Sequence, residues 1–270
     1  MNFIENNING LVFMTAPNID TVHAFTTRNG GVSSGIYESL NLARSAGDSL
    51  DDVKENYSLL CKSLGISVDD IVCGAQVHGT FIRHVSGEDR GRLFLPVSYR
   101  ADGMITNTPG VALMVFTADC VPILLYDPHK KAAGAVHAGW RGTAAGIAVI
   151  AVQEMVSMYG CSPADIKAAI GPCISKCCFE TDADVADAVT GLFKENEDMF
   201  ISKSGKKYNI DLKELNRLFL SKAGLTNIAV SDECTSCLDG KYWSHRKTKG
   251  HRGSQVAIIA IREKGEGRRN

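Results

Sequence analysis

The chain has 270 residues, 44% hydrophobic and 22% charged, which is enough apolar content to bury a full core as one large domain or two small ones. Its 29 Lys and Arg nearly balance 30 Asp and Glu, so no net field draws it toward nucleic acid or an anionic membrane. Every apolar run is interrupted well short of the ~20 consecutive residues of a membrane span, and nine cysteines, an odd number in a chain too long to need staples, read mostly as reduced core residues.

Met1 to Gly10 is polar and asparagine-rich, without the basic start and apolar stretch of an export signal, so the cytoplasm is the expected compartment. Val22 to Phe25 is the first strand-like run, rich in apolar residues. Ser49-x-x-Asp52 then caps a predicted helix over Val53 to Leu64. Five further strands follow at Ile71 to Cys73, Phe81 to Val85, Val111 to Thr117, Pro122 to Tyr126 and Ala132 to His137. Thr143 to Tyr159 reads as the longest helix, ended by Gly160. Beyond it come a strand at Ile166 to Ile170, a helix over Val185 to Phe193 after Thr181-x-x-Asp184, and a helix over Leu215 to Ala223 after Asp211-x-x-Glu214. Strands at Ile228 to Val230 and Val256 to Ile261 complete the series, and the basic segment Arg262 to Arg268 reads as a solvated, frayed end.

No repeat, low-complexity stretch or long linker divides residues 1–270, which are read as one domain. Turns at Thr117 to Pro122 and Asp127 to Lys131 are too short for parallel crossovers, so mixed strand order is expected. The fold class is α/β, with α+β as the alternative: mixed β-sheet layers covered by helices.

Three residues at the ends of apolar runs carry the chemistry: His78 in Q-V-H-G, Cys120 in T-A-D-C-V-P and His137 in V-H-A-G-W-R-G. Imidazole and thiolate are ligands that zinc prefers, and three protein ligands leave a fourth position open, as a catalytic site requires. Taken singly, each reads more readily as packing, and only the combination points to a metal. After His137, Gly139 and Gly142 in a turn and a helix starting at Thr143 offer an anion pocket, to which Arg141 would add a forked donor; without other context the favoured reading is that Arg141 makes a surface ion pair and the glycines only turn the chain. Asp119, beside Cys120, is expected to hold the turn or a neighbouring histidine. Cys234-x-x-Cys237 is half of a zinc knuckle, but the spacing of Cys173, Cys177 and Cys178 is not that of a ligand hairpin, so packed or exposed thiols are the reading there.

The motifs around His78, Cys120 and His137 resemble, in order and approximate spacing, the laccase-domain family, also called the polyphenol oxidase or purine nucleoside phosphorylase family. Further matches are His23-Ala-Phe-Thr-Thr-Arg28, Ser39-Leu-Asn41-Leu, Gly47-Asp48, Asn56, Ala101-Asp102-Gly103, Ile170-Gly171-Pro172, Cys234-Thr235 and Trp243-Ser244-His245-Arg246, so that the resemblance runs from about His23 to Ile261. It implies a single-domain α/β fold with zinc, or alternatively copper, bound by His78, Cys120 and His137 at a surface cleft. It also implies purine nucleosides and inorganic phosphate as substrates, phosphorolysis of adenosine, inosine, guanosine and methylthioadenosine, and a companion adenosine deamination. Arg28 and Asp119 are then the expected catalytic residues, and Arg28, Asn41, Gln76 and Arg141 the expected substrate and phosphate contacts. The family pattern often reads T-G-R before the last strand, whereas this chain has Lys249-Gly250-His251-Arg252-Gly253-Ser254, which leaves that arginine's role open. A multicopper oxidase would need H-x-H and H-C-H clusters, and none of the seven histidines forms one. Two alternatives remain: a metal-free hydrolase or amidase using Cys120 with His137 or His78, and a peptidoglycan quality-control role, for which no basic or repetitive surface is visible.

Overall fold

A strand covered on both faces must be apolar at nearly every position, and the long apolar runs of this chain occupy such places. The computed structural model describes residues 2–44, 47–96 and 99–262. In chain order its elements are β1 (Ile4–Ile8), β2 (Leu11–Thr15), β3 (Val22–Thr26), α1 (Leu50–Leu64), β4 (Ile71–Val72), β5 (Ile82–His84), β6 (Gly103–Thr106), β7 (Ala112–Thr117), β8 (Val121–Asp127), β9 (Ala132–Ala138), α2 (Trp140–Ala144) and α3 (Ile147–Tyr159). Then come β10 (Lys167–Ile170), β11 (Glu180–Thr181), α4 (Ala183–Val189), α5 (Glu197–Phe200), β12 (Ile201–Ser204), β13 (Lys207–Ile210), α6 (Leu212–Lys222), β14 (Asn227–Val230), α7 (His245–Thr248) and β15 (Gln255–Ala260).

Two mixed six-stranded sheets, ordered β1-β2-β3-β15-β7-β4 and β14-β10-β8-β9-β6-β5, lie face to face, and a small sheet β11-β13-β12 stands apart. Side-chain alternation builds the layers. From β7, Leu113 and Val115 join Ala257 and Ile259 of β15 against Leu124 and Ala135 of the second sheet. Ala112 and Met114 point the other way, onto Tyr57 and Leu60 of α1. Ile123 and Leu125 of β8 likewise pack outward on Ala148, Ala151 and Met155 of α3, with Leu215 and Leu220 of α6. The result is helix, sheet, sheet, helix: an α/β fold with helices over both outer faces, as expected.

The two short turns behave differently. Asp127 to Lys131 closes an antiparallel hairpin between β8 and β9, its Asp127 Oδ1 accepting from the amides of His129 at 2.8 Å and Lys130 at 2.9 Å. Thr117 to Val121 instead carries the chain from one sheet to the other, through Asp119 at φ 89°. That crossover puts Cys120 at the rim between the sheets.

Several boundaries differ from the sequence expectation for identifiable reasons. The predicted helix over Thr143 to Tyr159 is two helices, because Gly146 adopts φ 73° and ends α2 in the left-handed conformation that glycine permits. The helix after Thr181 starts at Ala183 and stops at Val189, with Thr181 itself in β11. An unexpected hairpin, β1 with β2, turns through Asn9 at φ 54° and Gly10 at φ 89°, the residue pair that two-residue hairpin loops favour. The basic tail beyond Arg262 lies outside the described residues. Among the described residues no helix is long and apolar enough to cross a membrane.

Candidate metal centre

Asp102 is where the site is organised. It precedes β6 with its side chain fully buried, and its carboxylate accepts from three successive amides: Val77 at 3.1 Å, His78 at 2.9 Å and Gly79 at 2.8 Å. The loop curls round the carboxylate with His78 at φ 59°, a left-handed position that is uncommon for a residue other than glycine. Oδ1 of the same carboxylate lies 2.9 Å from Nδ1 of His137, and the backbone carbonyl of Asp102 accepts from the His137 amide at 2.7 Å. Burial works against the carboxylate's charge, yet the bonds from His137, Gly79 and Val77 outweigh it and hold the group at about 2. One carboxylate therefore sets both histidines, the first through its backbone and the second through its ring. With Nδ1 of His137 engaged, Nε2 is the nitrogen left to bind a metal.

Cys120 completes the group. Its Sγ lies 3.8 Å from Nε2 of His78, close to the ~3.6 Å edge expected between a sulfur and a nitrogen of one tetrahedral zinc. The two imidazoles sit edge to face, 4.9 Å between centroids, and the ligand atoms of His78, Cys120 and His137 all fall within 4.8 Å of one another. Burial disfavours a thiolate at Cys120, but hydrogen bonds and charge from His137 and His78 prevail and move its thiol down; the same contacts, with Asp102, move the His137 imidazole up against its burial. Gly139 closes the packing. A Cβ there would lie 2.7 Å from Cδ2 of His78, so any larger residue pushes that ring out of the group.

The group lies in a cleft of about 970 Å³ between the sheet rims, where Arg44, Gln76, Phe94, Phe116, His251 and Arg252 are among the lining residues. The volume is at the upper end of what small-molecule sites occupy. Of the residues expected at the site, Gln76 is in the lining, but its amide is spent on the backbone of Phe116, accepting from its N–H at 2.7 Å and donating to its carbonyl at 2.8 Å. Asp119 does not reach a histidine. Its carboxylate accepts from Thr235 Oγ1 at 2.6 Å, Arg246 N at 2.6 Å and Ser244 Oγ at 3.1 Å, holding the chain behind the Cys120 turn. Asn41 is buried, donating to Asp48 at 2.9 Å and accepting from the amides of Ala43 and Ser254.

Two arginines expected as anion donors stand outside the cleft lining. Arg28 gives Nε and Nη2 to the carbonyl of Glu38 and Nη1 to that of Asp239, and stacks 4.1 Å over Trp243. Arg141 is exposed, folded over its neighbour Trp140. The helix start is Trp140 rather than Thr143, whose buried hydroxyl accepts from Asn216 at 2.9 Å.

Residues 22–262 match the family described as multi-copper polyphenol oxidoreductase laccase. The chain belongs to this laccase-like family. A relative named purine nucleoside phosphorylase YlmD, from Geobacillus stearothermophilus, is 39% identical over 253 residues, 92% of either chain. One from Deinococcus radiodurans, named purine nucleoside phosphorylase, is 38% identical over 93% of this chain and 94% of its own. The crystal structure of YlmD from Geobacillus stearothermophilus superposes with a TM-score of 0.88 at 36% identity, covering 97% of this chain and 100% of that one. That of a Bacillus licheniformis hypothetical protein YfiH gives 0.89 at 34% identity, covering 96% and 99%.

The donors of this laccase-like chain fit one ion better than several. Among the described residues, the groups able to hold a metal are His78, Cys120 and His137, and a separate set of four cysteines. A multicopper array needs several histidine-rich sites side by side, and the group in the cleft combines two imidazoles and one sulfur. Sequence reasoning missed Asp102 as the organiser, although it stands in a motif shared with the laccase-like family. Arg252, whose role the family pattern left open, lines the cleft, as does Arg44, which was missed. The signal for Arg252 was its place in the loop where the family pattern carries an arginine before the last strand; Arg44 gave none.

Proposed function

We propose that the cleft holds one zinc through Nε2 of His78, Sγ of Cys120 and Nε2 of His137, and that it catalyses phosphorolysis of purine nucleosides to the free base and ribose 1-phosphate, with adenosine deamination as a side activity. The observation that carries this reading is the convergence of the three ligand atoms in the lining of an open cleft, where three protein donors would leave a fourth position to substrate. The names of the relatives from Geobacillus stearothermophilus and Deinococcus radiodurans support the choice of reaction. Zinc there would supply Lewis acidity, to a departing purine in phosphorolysis and to a water in deamination.

The chain's own residues do the rest. Asp102 keeps the proton of His137 on Nδ1, so that Nε2 presents its lone pair to the cleft. The amides of Val77, His78 and Gly79, fixed on the same carboxylate, prevent the His78 loop from relaxing out of its left-handed turn. Arg252 is the phosphate donor. It lines the cleft, its Nη1 reaches Gly253 O at 2.8 Å and Ser254 Oγ at 2.9 Å, and its buried Nε has no partner among the described residues. Arg44, which also lines the cleft and stacks over Phe116 at 5.5 Å, is a second cation for the anion. Ile36, Leu50, Phe94, Leu95 and Phe116 give the purine an apolar wall. In the reaction a phosphate oxygen forms the new bond to C1′ as the bond from C1′ to the purine nitrogen breaks, and the purine leaves with the bonding pair.

A second reading uses the same residues without metal. Cys120, His137 and Asp102 stand in the order of nucleophile, base and orienting acid that thiol hydrolases use. Metal-analysed protein incubated with adenosine, with and without phosphate, separates the two. The zinc reading expects adenine and ribose 1-phosphate only with phosphate, some inosine without it, and loss of both with a chelator. Turnover that survives chelation and stops on thiol alkylation would transfer the case to the hydrolase.

A further inference from the structure

Behind the Cys120 turn, four sulfurs meet that the sequence spacing did not bring together. Cys177 and Cys178 lie in the loop between β10 and β11, and Cys234 and Cys237 in the segment between β14 and α7. Sγ of Cys237 is 3.6 Å from that of Cys177 and 3.4 Å from that of Cys178, and the last two are 3.7 Å apart. All four Sγ atoms fall within 4.8 Å of one another, and all four residues are free thiols. These separations are far above the ~2.05 Å of a disulfide. They are near the ~3.8 Å edge of a tetrahedron of sulfurs around one zinc at ~2.3 Å. Cys173, which the sequence offered as a partner, is not in the set; it is buried and its thiol donates to the carbonyl of Ile174.

The surrounding backbone is arranged for a thiolate. The amide of Ser175 donates to Sγ of Cys234 at 3.3 Å, and those of Ser236 and Cys237 are aimed at the same sulfur. Four thiols so close cannot all ionise without a cation among them. Cys177 and Cys237 are exposed, so an ion can enter from solvent.

We propose that Cys177, Cys178, Cys234 and Cys237 form a second metal site, tetrahedral and closed, that takes zinc and fastens two loops behind the cleft. The four thiols release their protons as the four zinc–sulfur bonds form, and no ligand position is left for substrate. The loops it joins are those that support Cys120. Thr235, between two of the cysteines, donates to Asp119; Ile174 N donates to the Asp119 carbonyl at 3.0 Å; and Nη1 of Arg246, whose amide also holds Asp119, donates to the carbonyl of Cys178 at 3.0 Å.

The test uses the full chain carrying His78→Ala and Cys120→Ala, which empties the cleft, purified under reducing conditions without chelator. Metal analysis is expected to find one equivalent of zinc. Cobalt in its place is expected to give the strong sulfur-to-metal charge-transfer band of a four-thiolate site. Adding Cys177→Ser and Cys237→Ser is expected to abolish both. Should that variant fail to fold, the unsubstituted chain serves: Cys177 and Cys237 are expected to resist alkylation until a chelator is added, and then to react. A cleft-emptied chain that keeps no zinc, thiols that alkylate at the rate of free cysteine before chelation, or a disulfide found between any two of the four would overturn the proposal.

Discussion

Two sulfur-bearing clusters are tied to one turn, and they differ in what surrounds the sulfur. His78, Cys120 and His137 combine a single sulfur with two imidazoles, rest on the buried carboxylate of Asp102 and face a cleft of about 970 Å³. Cys177, Cys178, Cys234 and Cys237 combine four sulfurs and are not among the residues lining that cleft. The difference teaches what decides a metal's job in one small region of a fold. Three donors with an oriented histidine leave a position for chemistry, whereas four donors of one kind fill the coordination sphere and leave only a cross-link.

The comparison breaks first at the three-donor cluster. His137→Ala is expected to remove its metal and lower phosphorolysis by about a thousandfold, because a Lewis acid is worth several kcal/mol of barrier. Metal analysis beside circular dichroism checks this, the fold being expected to persist. Asp102→Asn keeps the shape but takes away the charge that orients His137. Loss of about 10–100-fold in metal affinity and in kcat is expected, the usual effect of removing the group behind a ligand, and metal titration with steady-state kinetics reads it.

Smaller effects sharpen the contrast between the cleft and its surroundings. Arg252→Ala is expected to raise KM for phosphate about tenfold or more and leave KM for the nucleoside nearly unchanged, since a charged hydrogen bond is worth roughly 1.5–3 kcal/mol. Arg141→Ala, outside the lining, is expected to change neither. Arg28→Ala breaks three bonds to backbone carbonyls and the stack on Trp243. Its expected cost is about 1–3 kcal/mol of stability, with kcat unchanged per folded molecule, as urea unfolding and active-site titration can show.

Much of this was legible in the sequence, and the rest was hidden for physical reasons. Strands buried on both faces, such as β8 and β9, announce themselves as apolar runs, and their ends located Cys120 and His137 to within a residue or two of the rim. Helix caps at Ser49 and Asp211 were equally plain, and both side chains accept from the expected amide. Asn9 and Gly10 carried a hairpin signal that the polar strand β1 obscured, because an exposed edge strand has no apolar pattern to read. Gly146 was visible, but whether a glycine interrupts or merely weakens a helix depends on the packing around it. Arginines were the hardest to place. Arg141 was expected as an anion donor from its place beside the His137 motif and Arg28 from the family resemblance, yet Arg28 is drawn to backbone carbonyls and Arg141 to Trp140, while Arg44 and Arg252 line the cleft from segments outside the three ligand motifs. The four cysteines were equally hard to place. Only the pairing of two loops, fixed by the bridge between Cys173 and Cys234, brings their sulfurs together.

The most direct test of the central claim is phosphorolysis measured as zinc is returned to chelator-stripped protein, for the unsubstituted chain and for Cys120→Ala. The account predicts that adenine and ribose 1-phosphate formation returns in proportion to zinc in the unsubstituted chain and stays absent in Cys120→Ala at any zinc level. Full activity of the stripped protein, or recovery by zinc without Cys120, would contradict it.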